Sequence, residues 1–204
     1  MKVNHIIFTI LSILLAVAFW ALLTLEWKGN SMERTGIVTF KGNGLTLVGQ
    51  EVKVGQKAPD FEVVDNKLGA VKFSDFKGSV CIITSVPSLD TPVCDTETRR
   101  FNEEASKLGA NVKVLTISMD LPFAQSRWCG AAGIKNLTTL SDYKTGDFGN
   151  AYGVLIKELK LLARAIFIVD GQGIVRYVQI VPEIATEPNY DDVIANVKKL
   201  TNSN

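Results

Sequence analysis

Val80-Cys81-Ile82-Ile83-Thr84-Ser85-Val86, then Pro87-Ser88-Leu89-Asp90-Thr91-Pro92-Val93-Cys94, then Asp95-Thr96-Glu97-Thr98-Arg99-Arg100-Phe101 is the stretch whose reading decides the fold. The apolar run at its start predicts a buried strand. Thr91 suits a helix N-cap and Pro92 the first helical position, which puts Cys94 in the first turn. Unpaired backbone N–H groups and the positive end of the helix dipole favour negative charge on a sulfur placed there. The charged sulfur is the reactive form, so Cys94 is a candidate nucleophile.

Working outward, the helix beginning near Pro92 ends near Leu108-Gly109, and Val112 to Ser118 reads as a second buried strand. Pro122 to Cys129 predicts a short helix that Gly130 to Gly133 ends, and Leu137 to Leu140 a weak strand. Asp147 to Tyr152 reads as helical. Arg164 to Val169 and Ile174 to Ile180, joined by Asp170-Gly171-Gln172-Gly173, predict a hairpin. Asp191 to Leu200 is an amphipathic helix with Val193, Ile194, Val197 and Leu200 inward. Upstream, Ile37 to Phe40 and Leu45 to Val48 form a hairpin around Lys41-Gly42-Asn43-Gly44, with Asn43-Gly44 expected as the turn. A loop from Val54 runs into a strand at Phe61 to Val64, followed by a turn at Asp65 to Gly69 and a strand at Val71 to Phe73. The alternation predicts an α/β fold with a mixed sheet flanked by helices. Cys94, beyond the C-terminal end of a central strand, lies where open α/β sheets place their sites.

Composition narrows the function. A chain of 204 residues with 22 basic and 21 acidic side chains has a formal charge of +1, which offers no field for nucleic acid. Three cysteines and one histidine make neither a disulfide framework nor a zinc site, and no cofactor motif stands out. His5 lies at the edge of the hydrophobic N-terminus and carries no catalytic case.

That N-terminus is a separate object. Ile6 to Leu25 contains no charge and, as a helix, spans about 30 Å, a bilayer's hydrocarbon thickness. Trp20 and Trp27 sit where interfacial aromatics occur. Residues 1–31 are therefore expected to be a membrane anchor or signal segment, and residues 32–204 one domain. Ala16-Val17-Ala18 resembles a cleavage site, and cleavage would give a secreted or periplasmic product. Translation starting at Met32 would leave a cytoplasmic one. Lys2 on one side and Lys28, Arg34 and Lys41 on the other leave orientation open.

Several blocks resemble a known family. Gly55-Gln56-Lys57-Ala58-Pro59-Asp60-Phe61 is similar to the opening segment of peroxiredoxins, and Pro87, Thr91 and Cys94 fit their Pro-x-x-x-Thr/Ser-x-x-Cys pattern. Ser88 to Thr91, Asp120 to Cys129, Ala163-Arg164-Ala165 and Thr186-Glu187-Pro188-Asn189-Tyr190 resemble the bacterial thiol peroxidase branch. The resemblance covers about residues 34 to 200. It implies a thioredoxin-like fold, a homodimer, peroxide substrates and thioredoxin as reductant.

It also implies roles. Cys94 would attack peroxide and become a sulfenic acid, and Cys129 would resolve it as a Cys94–Cys129 disulfide that thioredoxin reduces. Read alone, Cys129 is equally a buried helix cysteine beside Trp128. Thr91 could place its hydroxyl near the sulfur or serve only as a cap. Arg164 is the odd residue on a strand otherwise apolar from Ala165 to Val169: an exposed edge arginine by itself, a thiolate partner under the resemblance. Pro87 would shield the sulfur or simply end the strand. Cys81, mid-strand among Val80, Ile82 and Ile83, reads as a buried inert thiol. Arg99 and Arg100 read as a solvated face, and Phe123 and Tyr152 as pocket, dimer or core residues. Two other functions compete. A peroxide sensor would share the first oxidation step and pass it to a partner. A membrane-tethered thiol–disulfide oxidoreductase would need a Cys-x-x-Cys pair, which Thr91 and Glu97 deny to Cys94.

Overall fold

The computed structural model describes residues 32–201, so the hydrophobic span at residues 6–25 and His5 lie outside the described residues. Among the described residues no helix is long and apolar enough to cross a membrane.

Two sheets form. The small one joins β1 (Glu33–Phe40), β2 (Asn43–Val48) and a two-residue strand β8 (Leu155–Ile156). The large one holds β3 (Glu62–Val64), β4 (Ala70–Lys72), β5 (Val80–Ser85), β6 (Val112–Ser118), β7 (Thr138–Ser141), β9 (Ala165–Val169) and β10 (Val175–Ile180). Its order is β10-β9-β5-β6-β7-β3-β4. β5, β6 and β7 are parallel, and β9, β10, β3 and β4 join antiparallel. This is the mixed sheet that the sequence predicts. The helices are α1 (Pro92–Ala105), α2 (Pro122–Ala132), α3 (Asp147–Ala151) and α4 (Tyr190–Thr201).

The period of two along β5 divides the core. Val80 and Ile82 pack with Phe101 of α1 and Val193 and Val197 of α4 on one face. Cys81 and Ile83 point to the other face, among Leu115, Tyr152, Phe167 and the β1–β2 hairpin. Every β5 residue is buried, which is why the strand reads as a continuous apolar run rather than an alternation. Ile194 and Leu200 of α4 are only half-buried.

Several boundaries differ from expectation. In the first hairpin the turn is Lys41-Gly42, both at positive φ, while Asn43 and Gly44 pair with Phe40 and Thr39. A two-residue loop of this kind needs positive φ at both positions, and the β1 and β2 side chains fix the register that puts Lys41 there. α1 stops at Ala105, short of Leu108. α2 runs through Cys129 and Gly130 to Ala132, and Gly133 at φ 67° supplies the left-handed cap. Arg164 precedes β9 rather than belonging to it.

Candidate active site

The loop after β5 carries Pro87 to Thr91 and delivers Cys94 to the third position of α1. Cys94 is fully buried, as is Pro87, and Cys94 packs with Val86, Leu89 and Trp128. Thr91 occupies the N-cap, yet its hydroxyl does not cap the helix; it donates to the Ser88 carbonyl at 3.0 Å. With proline at the first position and no side-chain cap, the first-turn N–H groups of α1 are not taken up by the N-cap side chain. Asp120 fastens the loop from below. Its carboxylate accepts the Ser88 hydroxyl at 2.7 Å, the Leu89 N–H at 2.8 Å and the Ser118 hydroxyl at 2.8 Å.

Strand direction brings the arginine. β9 runs antiparallel to β5 with Ala165 opposite Ser85, so the residue before β9 lands at the end of β5 beside the cysteine loop. Arg164 is 1 % exposed and uses all three nitrogens. Nη2 donates to Cys94 Sγ at 3.3 Å, Nε to the Ile184 carbonyl at 3.1 Å, and Nη1 to the Glu97 carboxylate. Burial alone would lower the Arg164 pKa; the Glu97 carboxylate and the Cys94 sulfur outweigh it and raise it, so the guanidinium stays charged. Glu97 is itself fully buried, and burial pushes its carboxyl up against the pull of Arg164. The result is a buried cation shared between a carboxylate and a sulfur.

Cys129 is half-buried on α2 and faces a different neighbour: its Sγ lies 3.2 Å from Thr139 Oγ1 of β7, a hydroxyl that also accepts from Asn66 at 2.9 Å. All three cysteines are free thiols. A clasp ties α2 to α1. Asp95 accepts Trp128 Nε1 at 2.9 Å and Arg99 Nε at 2.9 Å, and Arg99 Nη1 reaches the Ala132 carbonyl at 3.1 Å. The Arg99 guanidinium also lies over the Trp128 ring.

A family model described as Redoxin matches residues 53–194. The thiol peroxidase of Bacillus subtilis (strain 168) is 57 % identical over 163 residues, which are 80 % of this chain and 97 % of that protein. The thiol peroxidase of Listeria innocua is 55 % identical over 79 % of this chain and 98 % of its own length. This chain belongs to the redoxin family, in its thiol peroxidase branch. The crystal structure of a peroxiredoxin-like protein from Aquifex aeolicus superposes with TM-score 0.76 at 50 % identity, covering 84 % of this chain and 99 % of that one. A thiol peroxidase structure from Chromobacterium violaceum, at 21 % identity and TM-score 0.73, shares the thioredoxin-like fold.

The fold brings Arg164 to Cys94, keeps Pro87 and Thr91 on the loop that leads into α1, and leaves Cys129 on the adjoining helix. Cys81 is buried and its thiol is pushed up to about 12, as befits an inert position. Tyr152 is a core residue, stacked on Phe148 and edge-on to Phe61 and Phe167, in a different cluster from Cys94. Phe123 is 66 % exposed. Arg99 and Arg100 lie on an exposed face, as the sequence predicts, and both are engaged there: Arg99 closes the clasp, and Arg100 sits 3.9 Å over the Tyr190 ring and pairs with Asp191. Sequence reasoning missed Glu97, Asp120 and Asp95. Glu97 had a usable signal, because the buried face of α1 is Cys94, Glu97, Thr98 and Phe101, spaced as one helical stripe. Two polar members hide that stripe from hydropathy.

Proposed function

We propose that this chain reduces hydrogen peroxide and organic hydroperoxides through Cys94, with Cys129 as resolving thiol and thioredoxin as reductant. The observation that carries the reading is the Arg164 guanidinium 3.3 Å from a sulfur at a helix N-terminus. The Cys94 thiolate attacks one peroxide oxygen as the O–O bond breaks. The leaving oxygen takes a proton and departs as water or alcohol, and the sulfur becomes a sulfenic acid. Arg164 and the Val93 and Cys94 N–H groups are the donors that face the developing charge. Thr91, its proton committed to Ser88, keeps lone pairs for the peroxide O–H, and Pro87 keeps water off the sulfur.

The Cys129 thiolate then attacks the sulfenic sulfur, releases water and closes a disulfide. A dithiol of thioredoxin restores both thiols by exchange. Cys129 packs against the cluster that holds Cys94, and closing the disulfide breaks the Arg164–Cys94 and Thr139–Cys129 contacts; local unwinding of α1 or α2 is the expected route to the bond's required geometry. A homodimer, with apolar surface from Leu121 and Phe123, and a membrane anchor at residues 6–25 complete the reading. Sedimentation and mass spectrometry of the native N-terminus test these two points. An intact Met1 in membranes fits the anchor, and a start at Phe19 or Met32 rules it out.

Turnover is the central test. Peroxide should be consumed catalytically with thioredoxin, its reductase and NADPH, and Cys94→Ser should abolish it. Cys129→Ser should stop cycling yet leave one round of Cys94 oxidation. A Cys94→Ser variant at full rate, or a purified protein with no turnover, sinks the peroxidase reading; oxidation without turnover would favour a sensor.

A further inference from the structure

Arg164 is held by its Nε on the Ile184 carbonyl and by its own carbonyl on the Val181 N–H at 2.9 Å, so its aim depends on the segment between β10 and α4. That segment has little regular structure of its own, and its anchor lies far away in sequence. Glu183 turns its carboxylate onto the first hairpin. Oε1 accepts Lys41 N–H at 3.1 Å and Ala185 N–H at 3.2 Å; Oε2 accepts Gly42 N–H at 3.1 Å and the Thr39 hydroxyl at 2.9 Å. Backbone bonds flank it on both sides: Thr39 N–H to the Pro182 carbonyl at 2.7 Å and Ile184 N–H to the Thr39 carbonyl at 3.0 Å. The Gly42 N–H and its fellows hold the Glu183 carboxyl below its ordinary range. The turn at Lys41-Gly42 matters here, because its positive φ angles aim two successive N–H groups at one point.

We propose that Glu183 is a positioning residue for the peroxidatic centre, clamping the Ile184 carbonyl that orients Arg164 against Cys94 and coupling the N-terminal hairpin to the chemistry. This rests on the reading of Arg164 as the partner of the Cys94 thiolate. The carboxylate touches no reacting atom; it acts through one peptide unit. Losing it would let residues 181–185 relax, and Arg164 Nε would lose its fixed acceptor. A guanidinium that is displaced from the sulfur by a fraction of an ångström to about 1 Å holds the thiolate and the transition state less well.

The test uses Glu183→Gln, which puts an NH2 group where four donors converge, and Thr39→Val, which removes only the hydroxyl contact. Two readouts are taken on the full chain: the rate constant of Cys94 oxidation by hydrogen peroxide, and the pH midpoint of Cys94 alkylation in a Cys81→Ala, Cys129→Ser background. The expected result is a rate lower by about fivefold to twentyfold in Glu183→Gln and by a smaller factor in Thr39→Val, with the midpoint moved to higher pH in the same order. Unchanged midpoints in both variants overturn the proposal, even if thermal stability falls, because a purely structural clamp would not move the thiolate titration. If Glu183→Gln does not fold, the Thr39→Val midpoint decides in the same way. The alkylation arm needs no peroxide turnover, so failure of the peroxidase reading and failure of the clamp are separately visible.

Discussion

Replacing Arg164 by methionine keeps a long apolar stem in a fully packed position while removing the charge that Cys94 and Glu97 share. Two consequences of different origin follow. First, Glu97 is left buried without its cation, a loss of about 3–5 kcal/mol when one partner of a buried pair is removed. For a domain of this size that corresponds to a melting temperature lower by about 6–20 °C. Second, the transition state loses a charged donor 3.3 Å from the sulfur, and removal of one such donor costs about 10²–10³ in rate. The double variant Glu97→Gln, Arg164→Met separates the two. It contains no unpaired buried charge, so most of the melting temperature should return, whereas the rate should stay about 10²–10³ below wild type. Thermal unfolding by circular dichroism and stopped-flow peroxide reduction give both numbers. If the double variant regains its rate along with its stability, Arg164 is structural and the catalytic argument is refuted.

Asp95→Ala opens the clasp between α1 and α2 by removing the acceptor for both Trp128 and Arg99; the Cys94–Cys129 disulfide should then form several-fold faster after one equivalent of peroxide, read by mass spectrometry of quenched samples. An unchanged or slower rate would show that the clasp does not gate unwinding. The Glu97 carboxyl, raised to about 7 by burial, gives a signed pH dependence. As pH falls from about 7 toward the ordinary value of 4.5, the folded state binds a proton that the unfolded chain does not. This group's contribution to stability therefore increases on acidification across that window, while Arg164 loses its carboxylate and the peroxide rate drops. Glu97→Gln should flatten that part of the rate profile; a profile identical to wild type would assign the limb to another group.

Local features were legible because their causes are local. The β5 run, the β6 bounds and the start of α1 at Pro92 follow from apolar periodicity and from a Thr-Pro pair that suits a helix start. The first hairpin was found but its turn misplaced by two residues, since Asn-Gly is the stronger turn signal until strand pairing fixes Lys41-Gly42 at the bend. β8 escaped notice because two residues carry no period. The cysteine with its helix was written in one stretch, residues 80–101, and the family resemblance pointed to Arg164.

What that stretch could not contain is the rest of the centre. Arg164 lies 70 positions from Cys94 and 67 from Glu97, and Ile184 and Glu183 come later still. A buried ion pair is stable only where desolvation is met by partners on every side, and those partners arrive from the residue before β9, from α1 and from the segment before α4. The sequence by itself determined that a cysteine would sit at a helix N-terminus after a central strand. The antiparallel pairing of β9 with β5 is what sets the Arg164 guanidinium against that sulfur, a contact that no stretch of sequence contains.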